Sequence, residues 1–206
     1  MLEEGLKMFR DARARTLAMT DGLSQAQLDY APARGRWSVG EVLDHLLLAE
    51  KMNREQFAEL IALQKRGRRA ELRRSFADVN VSVAYLPKSL LPFLEIPFTV
   101  LNLLIPVGAR EAIMRNRVIP AQNPDAATPR RGRAAAELRR DLAASLGETL
   151  ALFAADPGLD YRAMVVQHPL LGRNDVGALL RFLALHEERH QAQISEVMSA
   201  PQFPRA

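Results

Sequence analysis

The sequence predicts a single all-α domain, a four-helix bundle that occupies residues 1–206. Four long stretches repeat apolar residues every three or four positions, and none shows a convincing strand-like alternation of apolar and polar residues. With 206 residues and no cysteine, the chain can bury a core of ordinary size without disulfides. A metal ion would therefore serve chemistry rather than folding, and none of its ligands could be thiolates.

The first two helices have clear sequence boundaries. The first is expected over the first twenty residues, with Gly22 as its stop, and the second is expected to begin at the capping box of Ser38 and Glu41 and to run to about Gln64. Polar residues intrude on the apolar stripe of the first helix. That stripe reads Leu2, Leu6, Phe9, Arg13, Thr16 and Met19.

The other two helices lie in the second half of the chain. The third is expected over residues 134–154, before the Asp-Pro-Gly turn at residues 156–158. The last is expected to begin near Asn174 and Asp175, which are both good N-caps, and to end before Pro201.

A long proline-rich segment, residues 75–133, is interpreted as an insertion between the second and third helices. Its apolar part, residues 96–109, lacks charge for only 14 positions, whereas a spanning helix needs about 20, so no transmembrane span is expected. The segment could cover one end of the bundle as a lid or homodimer surface, or rest on a membrane or partner. Seven prolines interrupt it: Pro87, Pro92, Pro97, Pro106, Pro120, Pro124 and Pro129.

Charge and composition narrow the partners and the location. The net charge is +4, and 24 of the 28 basic residues are arginine. Five arginines cluster within residues 66–74, but no aromatic residue is interleaved among them to stack on bases, so a nucleic-acid partner is not expected. The acidic N-terminus does not resemble a secretory signal, so a cytoplasmic location is expected.

Three of the four histidines fall on apolar stripes. His186 and His190 are four residues apart, which places them about 40° apart on one helix face, and His45 lies on the inward face of the second helix. For His45 alone, a hydrogen-bonded core histidine is the alternative. The pair favours one divalent ion, because two imidazoles in contact inside a bundle repel if charged and need donors if neutral, and a cation satisfies both. Three neutral nitrogen ligands would leave a coordination position open for water or substrate.

The last helix also contains a His-Glu-x-x-His motif, which is typical of zinc peptidases. In that alternative Glu187 would be the general base. The longer form of the motif requires glycine and histidine at positions occupied here by Gln193 and Glu196, so a peptidase is the less favoured hypothesis.

Three segments resemble the DinB-like superfamily of metal-binding four-helix bundles. Residues 35–46 contain its Trp-Ser-x-x-Glu-x-x-x-His-Leu signature, residues 168–172 resemble its loop before the last helix, and residues 182–194 resemble its final histidine pair. The resemblance implies that His45, His186 and His190 hold the metal. Family members with known activities are mostly thiol-dependent, using bacillithiol, mycothiol or glutathione.

The resulting hypothesis is a metal-dependent, thiol-dependent transferase or hydrolase that acts on a small electrophilic molecule with an external low-molecular-weight thiol. Zinc or nickel is the first expectation for the metal, and three histidines also accept iron or copper. The alternative is a non-catalytic helical bundle that binds metal or a partner. Enzymatic activity itself is left open by the residues.

Five further residues have two interpretations each. Trp37 is either a hydrophobic staple or a substrate wall, and Glu41 either completes the helix cap or orients His45. His168, expected in a loop before a proline, is taken as a structural or rim residue and a candidate for substrate binding, with a fourth metal ligand as the alternative. Glu187 and Arg189 flank the ligand face, so each could reach substrate or only solvent.

Overall fold

The computed structural model describes residues 1–74, 127–168 and 172–205. This part of the chain is mostly helical, with five helices and three short strands. In chain order they are α1 (Leu2–Met19), α2 (Gln25–Asp29), α3 (Val39–Lys65), β1 (Glu71–Arg73), α4 (Ala135–Ala154), β2 (Val165–His168), β3 (Gly172–Asp175) and α5 (Val176–Met198). Residues 75–126, which are most of the expected insertion and include the predicted dimer surface, lie outside the described residues.

The four long helices α1, α3, α4 and α5 occupy the positions that the apolar periodicity predicts. The capping box of α3 is also confirmed: the Ser38 side chain accepts from the Glu41 amide at 3.2 Å, and the Glu41 carboxylate accepts from the Ser38 amide at 2.9 Å. Glu41 therefore completes the cap. At the start of α5, the Asp175 carboxylate accepts from the Ala178 amide at 2.7 Å.

The all-α expectation was wrong for three short segments, which form a sheet of order β1-β2-β3. Strand β1 pairs in parallel with β2, with Leu72 opposite Val166, and β3 pairs antiparallel to β2. His168 was expected in a loop, but it ends β2 opposite Gly172, and residues 169–171 lie outside the described residues. These strands are three or four residues long, too short for an alternating pattern to stand out.

Helix α1 packs along α5, while α3 contacts both α4 and α5. The α1–α5 approach depends on glycine, because a Cβ atom on Gly5 would lie 2.8 Å from the Gly177 carbonyl oxygen and 2.9 Å from Leu180 Cβ. Backbone atoms cannot yield as a flexible side-chain end can. The small residue thus sets how closely the first and last helices pack.

The buried interior contains two apolar clusters with a polar layer between them. One cluster includes Phe9, Phe57, Phe153 and Leu180. The other contains Leu43, Leu46, Leu142 and Ile194. On each of the four long helices, buried polar residues lie in sequence between apolar residues of one cluster and apolar residues of the other: Arg13, Thr16, Glu50, Ser145, Thr149, Glu187 and His190. His45 lies beside Leu46, at the edge of the second cluster. The candidate site therefore includes this layer and the edge of that cluster.

Within the described ranges, no helix is long and apolar enough to cross a membrane.

Candidate metal centre

Helices α3 and α5 bring together the three histidines that lie on the predicted apolar stripes. His45 and His190 are 2% and 6% exposed, and His186 is partly exposed. One ring nitrogen from each of the three lies within 4.8 Å of the others, and this is the only such histidine, cysteine or carboxylate cluster among the described residues. The cluster therefore offers three nitrogen atoms and could hold one metal ion.

Hydrogen bonds orient two of the three rings. The Nδ1 atom of His45 lies 2.8 Å from the Ala127 carbonyl oxygen, which can only accept, so Nδ1 must carry the proton. The Nδ1 atom of His190 lies 2.9 Å from Oε1 of Gln193, one turn further along α5. In both residues Nε2 is left as the lone-pair nitrogen that a metal requires.

One pair of nitrogens has the spacing expected of two ligands on a tetrahedral ion. His45 Nε2 and His186 Nε2 are 3.3 Å apart. Two imidazole nitrogens bound to one ion at about 2.05 Å, with a tetrahedral angle between them, would be separated by about 3.3 Å. The observed separation thus matches the ligand spacing of a tetrahedral zinc-like ion, and a fourth position would be left for another ligand.

Burial keeps the imidazoles in the form that binds metals. Desolvation lowers the pKa of His45, although the hydrogen bond to Ala127 and the neighbouring Asp44 oppose it. Desolvation also lowers the pKa of His186 to well below its usual value, and His190, His45 and Arg189 add to that effect. At neutral pH these two rings are therefore uncharged, with lone pairs free for coordination.

Aromatic rings border the histidine cluster. The Trp37 ring centroid lies 5.0 Å from that of His45 and 6.3 Å from that of His190, nearly parallel to the latter. Phe182 stacks on His186 at 6.1 Å. Both interpretations of Trp37 find support, because its ring also packs against the apolar cluster around α3 while it forms one wall of the histidine site.

Glu187, the candidate catalytic base, is held by an arginine. Its Oε1 accepts from Arg13 Nε at 2.7 Å, and both side chains are 1% exposed. Arg13 also donates to the Glu50 carboxylate at 2.9 Å and to the Leu142 carbonyl at 2.8 Å. The peptidase alternative requires this carboxylate at the metal, and the buried ion pair therefore argues against it.

The remaining candidates are distributed around the site. Arg189 is partly buried, and its positive charge acts on both His45 and His186. His168 contributes its backbone to β2, as described above. The structure therefore places Trp37 and Arg189 near the cluster, whereas Glu187 belongs to the adjacent ion-pair network.

Several residues that shape the site were missed by sequence reasoning. Ala127 orients His45 through a backbone carbonyl, and a carbonyl leaves no signal in residue type. Arg13 did leave a signal, because it interrupts an apolar stripe on α1, where a charged residue is buried only if it is paired. Its partner Glu50 is buried too, and its other carboxylate oxygen accepts from Thr149 at 2.7 Å.

Comparison with known proteins supports the same family as the motifs. A family model described as the DinB superfamily matches residues 8–194. Searches of the curated proteins and of the solved structures returned no significant match. Because the family match covers most of the chain, and the three histidines of the family signature converge in the fold, this protein belongs to the DinB superfamily.

Proposed function

We propose that the protein is a metal-dependent enzyme that transfers an external thiol to a small electrophilic molecule, or hydrolyses such a molecule. The observation that carries the proposal is the convergence of His45, His186 and His190, with two Nε2 atoms at 3.3 Å. Each of these histidines would bind the ion through a neutral nitrogen. A divalent ion bound there would lower the pKa of a thiol or water in its open position.

The charge of the site favours a thiol as the additional ligand. Among the described residues, the cluster includes no carboxylate, so the donor set carries no charge to offset a divalent ion. Arg189 adds positive potential at two of the three rings. An external anion, such as a thiolate, would therefore be drawn to the open position. Zinc or nickel suits this donor set, and iron or copper is also compatible.

The architecture belongs to the same proposal. We infer that α1, α3, α4 and α5 form a four-helix bundle of the DinB type, with residues 75–133 inserted between its second and third helices. The contacts of α1 with α5, and of α3 with α4 and α5, support this arrangement. In such a bundle the polar layer is the natural place for a metal and its substrate.

The experiment has a binding stage and a turnover stage. Trp37 is the only tryptophan and lies 5.0 Å from the His45 ring, so binding of paramagnetic Co²⁺ or Ni²⁺ should quench its fluorescence. Protein loaded with zinc or nickel is then assayed with glutathione, mycothiol or bacillithiol against a panel of electrophiles. Loss of the thiol group and appearance of the thioether are followed by mass spectrometry.

The result expected is quenching and turnover in the wild type, with both lost in His186→Ala. The matched control is His168→Ala, which removes the one histidine that the sequence does not assign to the metal and should retain the quenching. Metal binding without turnover for any thiol or electrophile would favour the non-catalytic alternative. Unchanged turnover in His186→Ala would refute the proposed role of the metal.

A further inference from the structure

A buried carboxylate lies next to His45 on α3 and holds a separate segment of the chain. Asp44 is 1% exposed, and both of its oxygens are used. One accepts from the Arg130 backbone amide at 2.7 Å, and the other accepts from Arg133 Nη1 at 2.7 Å. Burying a carboxylate in the protein interior is unfavourable unless it is fully hydrogen-bonded. Here both hydrogen bonds come from residues 127–133.

The segment that Asp44 holds is the one that contacts the neighbouring metal-site histidine. Ala127, which accepts the Nδ1 proton of His45 at 2.8 Å, precedes Arg130 by three residues. Three residues reach at most about 10 Å, so holding the Arg130 amide restricts where the Ala127 carbonyl can lie. Adjacent residues on α3 thus contact the same short segment, one as its anchor and the other as its hydrogen-bond donor.

Arg133 is itself held between two helices. Its side chain is 12% exposed, and besides Asp44 on α3 it contacts Glu137 and Asp141 on α4, each at 2.6 Å. A guanidinium with three carboxylate partners has few alternative rotamers, because every change of position breaks an ion pair. Arg133 therefore fixes the end of the segment relative to α3 and α4.

We propose that Asp44 and Arg133 are positioning residues for His45. They hold the Ala127 carbonyl against Nδ1, so that the ring keeps the Nδ1–H tautomer and directs Nε2 towards the other two histidines. The inference rests on the proposed metal function and adds to it a pair of residues outside the histidine cluster. Removing this support should leave the three histidines in place but weaken the site, typically by about ten- to a hundredfold in metal affinity.

The first test uses metal-free protein, so that it does not depend on metal binding. Protein labelled with ¹⁵N-histidine is examined by long-range ¹H–¹⁵N NMR, which distinguishes the two tautomers of each ring, and His45→Ala assigns the His45 signals. The wild type should show the Nδ1–H tautomer at His45. Asp44→Asn keeps the side-chain shape but sets an amide N–H against one of the two donors, so the Nε2–H tautomer should gain population.

The second test measures zinc affinity by competition with a chromophoric chelator. Asp44→Asn should lose about ten- to a hundredfold in affinity, and Arg133→Lys, which keeps the charge but not the three contacts, should show a smaller loss in the same direction. The matched control is Arg131→Lys in the same segment, because the Arg131 side chain is 62% exposed and pairs with Glu41 rather than with Asp44. Its tautomer and affinity should stay close to the wild type.

The possible outcomes separate the two proposals. An Asp44→Asn protein that keeps both the wild-type tautomer and the wild-type affinity would overturn the positioning role, as would an equal loss in the control variant. If Asp44→Asn does not fold, Arg133→Lys decides by the same two readouts. A wild-type protein that binds no zinc, nickel or cobalt would instead overturn the proposed metal function, and with it the role assigned to Asp44 and Arg133.

Discussion

Arg13 is the residue whose loss should cost the fold most. It is a cation 1% exposed, and its three hydrogen bonds, to Glu187, Glu50 and the Leu142 carbonyl, measure 2.7 to 2.9 Å. Its partners lie on α5, α3 and α4, so this single side chain on α1 links all four long helices. Replacement by methionine preserves much of the volume but leaves Glu187 buried without its cation, and Glu50 with only Arg54 at 4.0 Å.

The expected magnitude follows from that burial. Breaking a buried ion pair by removing one partner costs about 3–5 kcal/mol, because the remaining charge is left uncompensated. Arg15→Met is the matched control. Arg15 also joins α1 to α5, through Glu188 at 2.7 Å, but its side chain is 51% exposed. An exposed pair contributes only about 0–1 kcal/mol. Replacing Arg13 should therefore lower the free energy of unfolding several times more than replacing Arg15, although the two residues are only two positions apart.

The assay is urea unfolding of the metal-free proteins, followed by circular dichroism. Arg13→Met should lower the free energy of unfolding by about 3–5 kcal/mol, a large fraction of the roughly 5–15 kcal/mol that domains of this kind possess. Adding Glu50→Gln and Glu187→Gln should recover a substantial part of the lost free energy of unfolding, because both buried carboxylate charges are then removed. If Arg13→Met loses no more free energy of unfolding than Arg15→Met, the buried ion pair does not contribute more stability than the exposed one.

Two further predictions concern pH and helix packing. The pKa values of His45 and His186 are lowered from about 6.5, so the unfolded chain binds more protons, and their contribution to stability is present above pH 6.5 and lost as pH falls. Urea unfolding of metal-free protein from pH 7.5 to 5.5 should show this fall in the free energy of unfolding. A His45→Gln, His186→Gln variant should show a weaker dependence on pH, and an equal dependence in the two proteins would contradict the prediction. Gly5→Ala should destabilise by about 1–3 kcal/mol, because the new Cβ meets the Gly177 carbonyl at 2.8 Å. Thermal unfolding measures this effect, and Gly147→Ala, where a Cβ meets nothing within 4 Å, is the control; equal melting temperatures in the two variants would refute the packing argument.

Helices and histidines could be predicted because their signals are local. Periodicity located the four long helices, and the Ser38 cap marked where α3 begins. The same logic put His45, His186 and His190 on inward faces, since a helix fixes direction from spacing alone. The short helix α2 carried a readable signal that was overlooked, because Ser24 and Gln27 form a second capping box.

The features that sequence reasoning missed depend on residues far apart in the chain. The Arg13–Glu187 pair spans 174 positions, and the Asp44–Arg133 pair spans 89. Strand β1 pairs with β2 across a comparable separation, so its existence depends on a partner rather than on its own three residues. A His-Glu-x-x-His motif shows which residues are neighbours, but it does not show that the glutamate turns towards a buried arginine on another helix.

The proposed function depends on His45, His186 and His190 holding one metal ion. Its most direct test is elemental analysis by mass spectrometry of protein purified without a histidine tag, with wild type compared to a His186→Ala, His190→Ala double variant. If the three histidines bind one ion, the wild type should contain about one equivalent of a divalent transition metal and the variant none. A wild-type protein without metal after supplementation, or a variant that keeps the full equivalent, would contradict it.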